Sequence, residues 1–123
     1  MVRIWNLPVE ILDDKHLLAE HLETHVAFSA IQRAGGPWYK HPQVQRFVGK
    51  LPQLKYRHDQ QVSEMRRRGW NGHKTPLPDS IPAEPYAIKA DDYLRDFKVL
   101  DSRHGLNSGQ EIPEKFKYRI DWK

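Results

Sequence analysis

The chain has 123 residues, a net charge of +4 and a pI near 9.4, with 38% hydrophobic and 29% charged side chains. That length fits one domain able to bury a real core, and 4 Trp, 5 Tyr and 4 Phe are too many aromatics for a disordered chain. The absence of cysteine excludes a disulfide scaffold, a thiolate zinc site and a cysteine nucleophile.

Taken in order, residues 2–5 read as a short extended arm leading to Pro8. The run from Met1 to Asn6 lacks the apolar core of a signal peptide, and no apolar stretch reaches the roughly 18 residues of a membrane span. A cytoplasmic protein that does not engage a membrane is therefore expected. Asp13 or Asp14 can cap a helix running from about Lys15 to Arg33 and stopping at Gly35-Gly36-Pro37. Leu18, Leu22, Val26, Ser29 and Ala30 recur at helical spacing, so that face is expected to pack inward. Residues 35–50 read as irregular.

A second helix is expected over Leu51 to Arg68, with Leu51, Leu54, His58, Val62 and Met65 on one face. Gly69 follows as the residue just past the helix, with Trp70 placed to pack back. The four prolines at 76, 78, 82 and 85 mark a loop. A third helix is expected around Ala90 to Leu100, then a turn-rich stretch. In the tail, charged residues alternate with apolar or aromatic ones over 115–123, which suits a strand with two distinct faces. The fold class is mainly α: about three helices in a single-domain bundle with long loops.

The charge is uneven. Residues 1–78 carry 12 basic and 7 acidic side chains, whereas 79–123 carry 8 and 9. Within 40–74, Lys40, Arg46, Lys50, Lys55, Arg57, Arg66, Arg67, Arg68 and Lys74 face only Asp59 and Glu64, among several aromatics and histidines. Basic residues interleaved with aromatics suit phosphate contact and base stacking. A solvated basic helix fits the same pattern.

On the first helix His16, Glu20 and Glu23 fall at i, i+4 and i+7 and share a face. His21 and His25 form a second i, i+4 pair on a neighbouring face. Three readings stay open here: a solvated face, a metal site, or a carboxylate acting as general acid or base beside a basic groove. The H-E-x-x-H zinc pattern is absent.

The string Val2-Arg3-Ile4, followed by Asp14-Lys15-His16-Leu17-Leu18-Ala19-Glu20-His21-Leu22-Glu23, resembles the start of the phage pyrimidine-dimer DNA glycosylases, the small dimer-specific endonuclease V proteins. Arg57 and Glu64-Met65-Arg66-Arg67-Arg68-Gly69-Trp70-Asn71 are similar to that family's second helix and its Arg-Gly-aromatic-Asn ending. His41-Pro42 and Gly49-Lys50-Leu51 resemble stretches in bacterial relatives. The resemblance covers about residues 2–73. It implies an endonuclease V-like helical fold and a DNA glycosylase that also nicks the strand at abasic sites, acting as a monomer on double-stranded DNA with no metal or organic cofactor.

The resemblance further implies that the nucleophile is the α-amine of Val2, exposed by removal of Met1, and that Glu23 is the catalytic carboxylate. Arg3, Lys15, His16, Glu20, Arg57, Arg66, Arg67, Arg68 and Lys74 are then the expected DNA- or substrate-contacting residues. An α-amine suits imine chemistry because its ordinary pKa of about 7.7–8.0 leaves a usable neutral fraction near neutral pH. The chain departs from the phage pattern at Leu22 and Val26, where the phage enzymes carry arginine. Substrate identity, more than chemistry, is affected by that loss. A catalytically diverged DNA-binding relative is the alternative reading.

Overall fold

The computed structural model describes residues 3–70, 77–78, 80–103 and 120–121. Among the described residues four α-helices carry the architecture: α1 (Asp14–Arg33), α2 (Pro42–Gln45), α3 (Leu51–Arg67) and α4 (Ala90–Arg103). Two residue pairs, β1 (Ile88–Lys89) and β2 (Ile120–Asp121), form a minimal parallel ladder with Ile88 opposite Ile120. The protein is thus mainly helical, with the three long helices where the sequence periodicity puts them. The four-residue α2 lies inside the stretch read as irregular. Pro42 opens it, and the His41 ring accepts the Gln43 N–H, a cap that hydrophobic periodicity cannot reveal.

The chain divides into two units. One comprises Met1–Ile4 and Ala19–Pro85, the other Trp5–Leu18 and Tyr86–Lys123.

In the first unit, α3 buries Leu54, His58, Val62 and Met65, as its stripe predicts, and also Lys55, Arg57, Gln61 and Glu64. Ala27, Phe28, Ala30, Val44 and Phe47 of the same unit are buried as well. The inward face of α1 is not the expected one. Leu18, Leu22 and Val26 are 48%, 58% and 38% exposed, and Ser29 is exposed too. Of that stripe only Ala30 is buried. The buried face instead carries Leu17, Glu20, His21, Thr24, Ala27 and Phe28. Polar side chains occupy it because each finds a buried partner, which a hydrophobic count cannot register.

Both long helices of this unit end the same way. At α3, Gly69 takes a φ of 90°, its N–H donates to Arg66 O, and the Trp70 N–H reaches Met65 O at 2.8 Å. This is the expected glycine stop. At α1 the equivalent left-handed residue is Ala34 (φ 51°), with its N–H on Ile31 O and the Gly35 N–H on Ala30 O. The expected Gly35 therefore sits one residue too late to relieve the turn.

In the second unit, Asp13 rather than Asp14 caps α1, its carboxylate accepting the His16 N–H at 3.0 Å. Leu7, Val9, Ile11, Leu12 and Leu17 are buried, as are Ile88, Tyr93 and Leu100. Burial raises the Tyr93 hydroxyl pKa. Asp96 is 2% exposed and accepts both the backbone N–H and the side-chain amide of Asn6, at 2.8 and 3.1 Å. The third helix continues to Arg103, three residues beyond the expected Leu100. The aromatic-basic tail shows its strand at 120–121, and the rest of 104–123 lies outside the described residues.

Candidate active site

The N-terminal segment is held from three sides. The Arg3 backbone N–H donates to Glu23 Oε2 on α1. The Ile4 N–H donates to Gln43 Oε1 at 3.3 Å, and Arg46 Nη1 donates to Ile4 O at 2.8 Å and to Gln43 Oε1 at 2.6 Å. Ile4 itself is fully buried. Gln43 and Arg46 are three apart on α2 and its cap, so they present neighbouring side chains to one strand of backbone. Sequence reading missed both; the signal available was only their i, i+3 spacing after the His-Pro pair.

Glu23 is partly buried. Loss of hydration pushes its carboxyl pKa up, reinforced by the nearby Glu20 charge and opposed by the Arg3 N–H, and the net direction is upward. A carboxyl held above its ordinary range can exchange protons closer to neutral pH.

One turn earlier, Glu20 is 1% exposed and Arg57 of α3 is 1% exposed. They form a two-pronged ion pair, Nε to Oε2 and Nη2 to Oε1, each at 2.8 Å. Gln61 adds a 2.6 Å bond to Glu20 Oε2 and a 2.9 Å bond to Thr24 Oγ1. Glu20 and Arg57 were expected among the DNA contacts. That expectation is corrected: both are sealed inside the protein, where the pair joins α1 to α3.

The basic segment thins out on inspection. Lys55 is 9% exposed and donates to Pro78 O and Ile81 O at 2.8 and 2.6 Å. Arg46 holds Ile4, and Arg68, only 8% exposed, pairs with Glu64 at 2.7 Å. Arg67 also pairs with Glu64, but its side chain is 64% exposed. Burial would raise the Glu64 carboxyl pKa, yet the bonds and charges of Arg67 and Arg68 outweigh it and hold the group below its ordinary range. Lys40, Lys50, Arg66 and Arg67 are the exposed cations of this segment among the described residues. Net charge therefore overstated the surface available to a polyanion, because several of these cations fasten the fold.

Lys15 is exposed and His16 partly so. The His16 ring lies beside Asp13 and edge-on to Trp5, with ring centroids 6.0 Å apart. Val2 and Lys74 lie outside the described residues.

A family model described as pyrimidine dimer DNA glycosylase matches residues 2–76. The chain belongs to that family. The match spans the pinned N-terminal segment, α1, α2, α3 and the glycine stop that ends α3. No curated protein and no solved structure gives a significant match. Membership in the pyrimidine dimer DNA glycosylase family makes the protein an enzyme that acts on DNA. Among the described residues no helix is long and apolar enough to cross a membrane.

Proposed function

We propose that the protein is a pyrimidine-dimer-type DNA glycosylase with abasic-site lyase activity, acting as a monomer on double-stranded DNA through an imine on the α-amine of Val2. The observation that carries this reading is the hydrogen bond from the Arg3 N–H to Glu23. Only three covalent bonds separate that nitrogen from the α-nitrogen of Val2, so the two nitrogens lie within about 4 Å of each other at any torsion. Removal of Met1 makes the Val2 nitrogen a free amine one residue from the backbone N–H that Glu23 accepts.

The chemistry follows from the two groups. The neutral amine gives its lone pair to C1′ of the deoxyribose, and the C1′–N bond to the base breaks with its electrons leaving on the base. Glu23, its pKa raised by burial, donates a proton to the ring oxygen as the sugar opens to the imine. The resulting carboxylate takes the C2′ proton, the C3′–O bond breaks, and the 3′ phosphate leaves. Water then hydrolyses the imine and restores the amine. The target base must leave the stack for the amine to reach C1′. Arg3, Lys15, His16, Arg66, Arg67 and Lys74 are assigned to backbone and sugar contacts.

Leu22 and Val26, exposed on α1 near Glu23, support a substrate preference different from that of the phage enzymes, whose arginines they replace. The test is a duplex with a single ultraviolet-induced dimer, compared with undamaged and abasic duplexes, with and without borohydride. Cleavage and a borohydride-trapped adduct on dimer DNA are expected. A protein that binds all three duplexes and cleaves none is a diverged DNA-binding relative.

A further inference from the structure

Outside the proposed active site, His21 and His25 of α1 meet His58 of α3. Each ring offers one nitrogen, and these three atoms lie within 4.8 Å of one another. The ring centroids are 4.7 Å (His21 to His25), 4.8 Å (His25 to His58) and 4.9 Å (His21 to His58) apart. His21 is 5% and His58 3% exposed, and His25 is partly buried.

The surrounding hydrogen bonds fix which nitrogen two of these rings can give. Gln61 points its amide NH2 at Glu20 Oε2 and Thr24 Oγ1. Glu20 already receives both arms of Arg57, so its carboxylate accepts. The Thr24 hydroxyl donates to Glu20 O, which leaves its oxygen to accept. Gln61 Oε1 is thereby an obligate acceptor, and the 3.0 Å contact from His21 Nδ1 must be an N–H donation. His58 Nδ1 lies 3.0 Å from the Asp59 carboxylate, which also accepts. Both rings are held as Nδ1–H tautomers, each with its lone pair on Nε2. An imidazole whose far nitrogen donates to a carboxylate or amide oxygen is the arrangement that orients a metal-ligating histidine.

We propose that His21, His25 and His58 bind one divalent transition-metal ion of the zinc type, which clamps α1 to α3. Three imidazoles suit zinc, copper or nickel and not magnesium or calcium. Metal–nitrogen bonds of 2.0–2.1 Å set three tetrahedral nitrogens about 3.4 Å apart, against a present spacing of up to 4.8 Å. The site's outer support continues through Gln61 to the Glu20–Arg57 pair, so metal and ion pair tie the same two helices. This role is independent of the glycosylase chemistry.

The experiment uses the tag-free full chain stripped by chelator and then titrated with zinc, cobalt and magnesium salts. One zinc per chain is expected, with a rise in melting temperature of about 5 °C or more, no response to magnesium, and cobalt d–d absorption showing low coordination. X-ray absorption should count three imidazole nitrogens on the zinc. His25→Gln, at the least buried ligand, and His58→Gln should each weaken zinc binding by more than about 100-fold, and Asp59→Asn by about tenfold. An unchanged melting temperature in excess zinc, fewer than three imidazoles on the metal, or unaltered affinity in a folded His25→Gln variant would each overturn the proposal. The wild-type arms decide it even where a variant does not fold.

Discussion

The backbone N–H of Arg3 donates to the side-chain carboxylate of Glu23, joining the start of the chain to the middle of α1. The backbone at this point is also held from α2, where Gln43 accepts the N–H of the next residue, Ile4, and Arg46 donates to its carbonyl.

Glu23→Gln separates function from folding. The glutamine oxygen still accepts the Arg3 N–H, so the segment stays pinned, while proton transfer is lost. Strand cleavage should fall by about 100-fold or more. Because the folded carboxyl pKa is raised, ionising Glu23 opposes folding. Wild type should therefore lose stability relative to the variant as pH rises from the ordinary carboxylate value through the raised one. Denaturant titrations at pH 4 and pH 7 check the sign.

Leu22→Arg and Val26→Arg restore cations on the exposed face of α1. Both positions face solvent, so stability should change by no more than about 0.5 kcal/mol. If this face meets DNA, each new phosphate contact should steepen the slope of log K against log salt by about 0.9. A salt titration of DNA affinity reads this out. An unchanged slope removes that face from the interface.

Arg57→Ala tests the correction to the DNA-contact set. It leaves Glu20 buried without its ion-pair partner, and a loss of about 3–5 kcal/mol in urea unfolding is expected. Arg66→Ala should instead leave stability within about 0.5 kcal/mol and lower the salt slope of DNA binding.

Ala34→Gly should stabilise the protein. Ala34 holds the left-handed turn that ends α1, a conformation costing alanine about 1 kcal/mol that glycine avoids. Glycine's greater unfolded-state entropy offsets part of this, so a gain of about 0.5 kcal/mol is expected in the same unfolding assay.

The helices were legible because their signals are local: the capping Asp13, the stripe from Leu54 to Met65, and the glycine stop at Gly69. The face of α1 was not legible. Leu18, Leu22 and Val26 look like a core stripe, but Glu20, His21 and Thr24 take the interior because Arg57, Gln61 and His58 arrive there from α3. The partners that bond Glu20, His21 and Thr24 lie 37 to 41 residues away in sequence, beyond the reach of any periodicity. The same blindness inflated the basic surface, since Lys55, Arg57 and Arg46 count as charge in composition yet act as fasteners in the fold. Glu23 stood out only through the family resemblance, which its spacing from His16 and Arg3 carries, whereas Gln43 and Arg46 gave no chemical signal of their own.

The location of the borohydride-trapped adduct tests the imine mechanism at the atom where it acts. Protein incubated with dimer-containing or abasic duplex is reduced, digested and mapped by mass spectrometry, with Met1 removal verified on the intact chain. A single deoxyribose-derived adduct is expected on the α-nitrogen of Val2, absent from a form whose N-terminus is acetylated and sharply reduced in Glu23→Gln. An adduct on a lysine side chain, or full cleavage by protein that retains Met1, would contradict the assignment to Val2.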